Sequence, residues 1–123
     1  MKITNGELLS LQKIYAKLMS VDFDSYEQGL ELAEEFVLIE DKLKSFEKVK
    51  TELVKKFKLE GKADDDPEVK KANEEFQKLL FTNVTITLKE IKEDILKKAK
   101  LTGFEILSIK KINELITKES KTE

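Results

Sequence analysis

Residues 25–58 read SYEQGLELAEEFVLIEDKLKSFEKVKTELVKKFK, and this stretch decides the fold. Apart from Gly29 near its start, it contains neither glycine nor proline. Its apolar residues recur at intervals of three and four, which is the period of one helix face. At 1.5 Å per residue the predicted helix is about 50 Å long. The residues of this face are Phe36, Ile39, Leu43, Phe46, Leu53 and Phe57, with Lys50 at one position of the seam and Val49 beside it.

The two halves of this helix differ in how much of their surface is apolar. The four consecutive apolar residues 36–39 cover nearly the whole circumference, so we expect neighbours on several sides there. The second half has only a narrow apolar stripe, enough for one or two neighbours. We therefore predict a single domain over 1–123, with a globular body of residues 1–43 and 81–118, a helical hairpin arm of residues 44–80, and a frayed tail of residues 119–123.

Helix start signals precede the first two predicted helices. Thr4 and Glu7 match the capping-box pattern, and an apolar stripe follows to about residue 19. Asp24 and Glu27 give a second start of this kind before the long helix.

The connection after the long helix predicts a hairpin. Gly61 suits a left-handed helix cap. Asp66 as N-cap with Pro67 at the first helical position predicts a third helix that runs to about Leu80. Because this connection is short, the long helix and the third helix are expected to lie antiparallel.

The last third of the chain contains the strand-like segment. Residues 84–88 (VTITL) alternate with period two and predict a strand, and residues 104–107 (FEIL) are expected to pair with it. Residues 92–100 predict a short helix, and Ser108 is expected to cap a last one. The predicted fold class is mainly α (α+β at most): a long central helix in an antiparallel helical hairpin, with a small C-terminal two-stranded β/helix module.

Composition disfavours most enzyme chemistry. The chain of 123 residues has no Cys, no His and no Arg, so its 23 cations are all lysines. Thiolate nucleophiles, thiolate metal sites, imidazole bases and guanidinium clamps on phosphate are therefore excluded. We expect no enzyme activity, no cofactor and no metal site. No apolar run reaches the ~18–20 residues of a membrane span, and the first residues do not resemble a signal peptide.

Charge is distributed in blocks. Residues 22–41 contain eight acidic residues and no lysine, whereas residues 42–58 contain seven lysines and two glutamates. Such blocks favour a partner or a neighbouring subunit of complementary charge, and the alternative is a solvated surface that pairs its own charges. Glu31, Glu34 and Glu35 lie at helical spacing, and we interpret them as capping and solvated groups rather than as paired catalytic carboxylates.

The predicted arm is the candidate binding region. Acidic residues interrupt its lysines and arginine is absent, which disfavours direct nucleic-acid binding. A two-helix arm buries little apolar area per ordered residue, so a protein partner or a second copy is expected to cover it. An ordinary intramolecular hairpin is the alternative for the seam itself. The candidate partner-binding residues are Phe46, Val49, Lys50, Leu53, Lys55, Lys56, Phe57 and Lys58.

The opening residues 1–9 (MKITNGELL) resemble the start of small proteins encoded by phages and prophages of low-GC Gram-positive bacteria. The order of predicted elements and the terminal helix at 108–116 (SIKKINELI) are also similar to those proteins. The resemblance implies a host-cytoplasm setting and no catalytic residue. It fits a non-enzymatic accessory protein that binds another protein and inhibits or redirects a host defence factor. The alternative is a morphogenesis protein, such as a tail-assembly chaperone, that self-assembles.

Overall fold

The structure is a computed structural model that describes residues 1–57 and 66–122, and side chains as far as Glu119. Helices dominate this part of the chain, as predicted. In order, the elements are β1 (Lys2–Thr4), α1 (Asn5–Leu18), α2 (Tyr26–Phe57), α3 (Pro67–Leu80), β2 (Asn83–Thr85), α4 (Glu93–Lys98) and α5 (Gly103–Thr122).

Helix α2 is continuous over 32 residues, which confirms the long central helix. Its start differs from the prediction, because the capping side chain is Ser25 rather than Asp24. The hydroxyl of Ser25 accepts a 3.2 Å hydrogen bond from the Gln28 N–H, and the Gln28 side chain accepts one of 3.2 Å from the Asp24 N–H. The predicted Asp24–Glu27 pair plays no such part, although the helix begins within two residues of it.

Only one stripe of α2 is fully buried, and this corrects the expected enclosure of residues 36–39. Ile39 is completely buried and Phe36 is half-buried, but Val37 is 54% exposed and Leu38 is 44% exposed. The rest of the body therefore covers one side of this segment. The buried residues of the stripe are Leu32, Glu35, Ile39, Leu43 and Phe46.

Helices α2 and α3 form the predicted hairpin. The rings of Phe46 and Phe76 lie 5.9 Å apart between centroids, and Ala72 is buried beside them. Helix α3 begins as predicted, because Asp66 Oδ1 accepts a 2.9 Å hydrogen bond from the Glu68 N–H and Pro67 occupies the first turn. The predicted cap at Gly61 and most of the tip loop lie outside the described residues.

The two-stranded sheet differs from the prediction in its partner strand. Antiparallel β1 pairs with β2, with Ile3 opposite Val84, and Ile86 N–H continues the pairing by donating to the Met1 carbonyl at 3.0 Å. Residues 104–107 instead form the first turns of α5. The physical reason is a capping box that the sequence analysis missed: Thr102 Oγ1 accepts from the Glu105 N–H at 3.2 Å, and Glu105 Oε1 accepts from the Thr102 N–H at 2.9 Å.

Two further details of the C-terminal helices correct the sequence analysis. Ser108 caps nothing, because it lies inside α5, where its hydroxyl donates to the Phe104 carbonyl at 3.0 Å. Helix α5 continues to Thr122, whereas a frayed tail was expected from residue 119. Helix α4 lies within the predicted residues 92–100 and buries Ile95.

The core is centred on α1. Its capping box is present as predicted, with Thr4 Oγ1 accepting from the Glu7 N–H at 3.1 Å. The core is completed by the buried stripe of α2, the extended segment 86–91, and Ile95, Ile109 and Ile112. The proposed division into a body (1–43, 81–118) and an arm (44–80) stays a prediction. The fully buried side chains of α1 are Leu8, Leu11, Ile14, Tyr15 and Leu18.

Candidate protein-binding surface

Most apolar members of the predicted partner-binding set face the hairpin. Phe46 is only 2% exposed and packs on Phe76, so its side chain is not on the surface. Leu53 and Phe57 are half-buried, and Val49 is exposed at the edge. The lysines of the set, Lys50, Lys55 and Lys56, are exposed, while Lys58 lies outside the described residues.

A different face of α2 presents apolar side chains to solvent. Tyr26 is 78% exposed, Leu30 44% and Val37 54%, and Ala33 lies half-exposed between them. Their spacing of four, three and four residues places them on one side of the helix, away from the buried stripe. We call Tyr26, Leu30, Ala33 and Val37 the α2 strip.

The sequence analysis missed the α2 strip, although its periodicity is present in the sequence. In this part of α2 two apolar stripes run along opposite sides of the helix, one through Leu32 and Ile39 and one through Leu30 and Val37. The sequence analysis took the two stripes together and therefore predicted neighbours on several sides of the helix. A protein can leave one of two such stripes uncovered, and periodicity alone does not tell which stripe faces the core.

The loop before α2 extends the α2 strip. Phe23 packs flat against Gly29, so that a Cβ atom added at Gly29 would lie 3.0 Å from Phe23 Cδ2. The absence of a side chain at Gly29 therefore lets the aromatic ring lie on the helix backbone. A shallow depression of about 570 Å³ results, with Val21 and Phe23 on one side and Tyr26 and Leu30 on the other.

Acidic side chains surround the α2 strip. Three of the acidic residues between 22 and 41 form ion pairs: Asp24 with Lys98 at 2.5 Å, Glu31 with Lys89 at 2.9 Å, and Asp41 with Lys44 at 3.0 Å. Among the residues that the structure describes, four exposed carboxylates of this block have no ion-pair partner, which leaves the face strongly negative. These are Asp22, Glu27, Glu34 and Glu40.

Glu35 is the buried acidic residue among residues 22–41, and its hydrogen bonds join three segments of the chain. Its Oε2 accepts a 2.8 Å hydrogen bond from the Tyr15 hydroxyl, and its Oε1 accepts one of 2.9 Å from the Lys89 N–H. Burial raises the pKa of the Glu35 carboxyl, and these two hydrogen bonds oppose the shift. Burial and the Glu35 charge together raise the pKa of the Tyr15 hydroxyl. Because both carboxylate oxygens are engaged, Glu35 connects α1, α2 and the extended segment rather than offering a free acid group.

A second apolar surface lies between α4 and α5. It is a groove of about 870 Å³, with Ile91, Leu96 and Ile106 among its lining residues. Asn113 holds the backbone of Ile91 in the groove, because its side-chain amide donates to the Ile91 carbonyl at 3.1 Å and accepts from the Ile91 N–H at 3.0 Å. The charged residues of the rim have both signs: Glu93, Lys97, Lys110, Glu114 and Lys118.

The α2 strip is the better-defined candidate, because its apolar residues lie on one face of a continuous helix and the unpaired charges of the described residues 22–41 are all negative. Among the described residues, no helix is both long and apolar enough to cross a membrane. Comparison of the chain with known protein families, with curated proteins and with solved structures finds no match.

Proposed function

We propose that the protein acts by binding another protein through the α2 strip. The observation that supports this is the exposure of Tyr26, Leu30 and Val37 on one face of a helix whose opposite face is buried in the core. A helix that presents apolar residues at such spacing is a common element of protein–protein recognition. Contiguous exposed apolar side chains of this kind mark interaction sites more often than isolated ones do.

The biological setting of the proposal comes from the resemblance of residues 1–9 and 108–116 to phage and prophage proteins. In that setting we propose a non-enzymatic accessory protein of the host cytoplasm that inhibits or redirects a host factor, such as a defence protein. The engaged carboxylate of Glu35 supports a structural rather than a catalytic reading of the acidic block, since neither of its oxygens is free.

A self-assembling morphogenesis or tail-assembly chaperone is the second candidate function. The groove between α4 and α5 favours it, because an apolar groove of this size accommodates an apolar helix of a client protein. Phe104 at the start of α5 is 85% exposed and adds to the apolar surface of that helix. This candidate predicts oligomers whose size rises with concentration.

Site-specific photo-crosslinking in cells separates the two candidates. A photo-reactive phenylalanine analogue is placed at Tyr26, at Phe104 or, as control, at Phe81, which is a highly exposed aromatic residue beyond the end of α3. The proposed function predicts a covalent adduct with another protein from Tyr26 and none from Phe81. Adducts from Phe104 to further copies of the chain, without adducts from Tyr26, would instead support the chaperone.

A further inference from the structure

We infer that the occupant of the α2 strip is a basic amphipathic helix of a partner protein. This inference rests on the proposed function and specifies the partner's chemistry. Two observations support it: the helical spacing of the apolar residues, and the exposed carboxylates at the edges of the α2 strip that form no ion pair within the described residues.

The spacing favours a helix as the partner element. From Tyr26 to Val37 the α2 strip extends over three turns, about 16 Å at 1.5 Å per residue. A helix packed along α2 places its own side chains, spaced three and four residues apart, between Tyr26, Leu30 and Val37. Phe23 and Val21 line one side of the N-terminal part of the α2 strip, where Phe23 packs on Gly29.

The charges require that the partner helix be basic. Glu27 and Glu34 are seven residues apart and so lie on the same edge of the α2 strip, and Glu40 lies near its C-terminal end. All three are exposed, and within the described part of the chain none forms an ion pair. Lysine or arginine residues beside the apolar residues of the partner would meet these carboxylates, which both speeds association and fixes the register.

The α2 strip of a second copy does not supply such a helix. Two α2 strips packed on one another would place Glu27 and Glu34 of one copy beside the same acidic edge of the other, and like charges oppose that contact. The same face of α2 continues into the hairpin as Lys44, Lys48, Thr51 and Lys55. That continuation is basic, but it carries no apolar residue to fill the spaces of the α2 strip.

Polyanionic partners are excluded by the same charges. Nucleic acids and anionic membranes bind to lysine and arginine, and residues 22–41 contain neither. The chemistry that fits is therefore a protein helix with apolar residues on one face and cations along its borders.

Two synthetic peptides test the inference with the complete protein. One is an amphipathic helix of about 18 residues built from leucine and lysine, and the other has glutamate in place of every lysine. Fluorescence anisotropy with labelled peptide measures the Kd. We expect the leucine–lysine peptide to bind at least about tenfold more tightly than its acidic counterpart, and its Kd to rise as salt increases from about 0.05 M to about 0.5 M.

Matched variants assign the binding to the α2 strip. Glu27→Gln with Glu34→Gln should raise the Kd of the leucine–lysine peptide about fivefold, because two of the facing charges are lost. Glu47→Gln with Glu52→Gln removes the same charge from the exposed hairpin half of α2 and should leave the Kd unchanged. Leu30→Ser with Val37→Ser should raise the Kd by more than tenfold, since the apolar contacts disappear. Circular dichroism checks that each variant keeps its helix content.

The outcomes separate this inference from the proposed function. If both peptides bind equally, or if the two glutamine pairs have the same effect, the basic partner is refuted while the α2 strip remains a binding surface. If neither peptide binds although Tyr26 still crosslinks in cells, the inference fails and the proposed function stands. If sedimentation shows self-association that Leu30→Ser with Val37→Ser abolishes, a second copy is the occupant and the inference is wrong.

Discussion

The hydroxyl of Tyr15 donates a 2.8 Å hydrogen bond to Oε2 of Glu35, and this contact joins the centre of α1 to the centre of α2. Both groups are almost completely removed from solvent. The other oxygen of the carboxylate accepts from the Lys89 N–H, so the same side chain also fixes the extended segment before α4. The two hydrogen bonds of Glu35 thus hold α2 in place from within an apolar core, on the side of the helix opposite the α2 strip.

Removal of the Tyr15 hydroxyl should destabilise the fold without leaving a large cavity. Tyr15→Phe keeps the ring but deprives Glu35 Oε2 of its donor, and we expect a loss of about 1–3 kcal/mol in the free energy of unfolding. Urea denaturation measures this value. Tyr26→Phe, at a largely exposed tyrosine, is the control and should change it by less than about 0.5 kcal/mol. Equal effects of the two substitutions would show that the Tyr15–Glu35 hydrogen bond contributes nothing to the free energy of unfolding.

Glu35 should give the protein an unusual dependence on pH. Burial raises the pKa of its carboxyl in the folded state. A carboxyl with the higher pKa in the folded state favours folding when protonated, so its contribution is present below the unfolded-state pKa and is lost as pH rises through the folded-state pKa. We therefore expect the free energy of unfolding of the wild type, minus that of Glu35→Gln, to fall over the pH interval above the ordinary glutamate pKa of about 4.3. Urea titrations of both proteins across this interval measure the difference, and a difference that grows with pH contradicts the prediction.

The amide of Asn113 should control the stability of the extended segment. Asn113→Ala leaves both the N–H and the carbonyl of Ile91 without their partners, and we expect a loss of about 2 kcal/mol in the free energy of unfolding. Amide hydrogen exchange of residues 88–92 should accelerate as well, because local opening becomes easier. Asn73→Ala, at an exposed position of α3, is the control. Unchanged exchange near Ile91 would mean that other contacts hold the segment.

The hairpin should depend on Phe46. Phe46→Ala removes the ring that packs against Phe76 and should lower the free energy of unfolding by about 3–5 kcal/mol. Val54→Ala shortens an exposed side chain of the same helix and should cost less than about 1 kcal/mol. Thermal and urea unfolding of both variants provide the comparison. Similar losses in the two variants would show that Phe46 is not a core residue.

The elements that sequence could predict are those specified by local signals. The capping box of Thr4 and Glu7 and the Asp66–Pro67 start each satisfy backbone N–H groups within a few residues, so these helix starts needed no knowledge of tertiary structure. The length of α2 followed in the same way from its uninterrupted periodicity. The Thr102–Glu105 box carries an equally local signal, but the β-branched and aromatic residues that follow it favoured a strand assignment.

The remaining features depend on contacts between distant residues. Ile3 pairs with Val84, and nothing near either residue distinguishes this partner from any other extended segment. The exposure of Val37 beside the buried Ile39 is decided by where α1 packs, which the α2 sequence does not contain. The candidate site was therefore expected at Phe46, Leu53 and their neighbours, because an apolar stripe looks the same whether its own chain covers it or not.

The pairing of β1 with β2 has a consequence for the order of events during synthesis. It joins residues about eighty positions apart, so the first strand has no partner until most of the chain has left the ribosome. Closing so long a loop is slow compared with forming a helix turn, and the local helices precede it. A nascent chain that stops before Asn83 therefore contains the whole sequence of α2, while the backbone groups of its first strand still bind water.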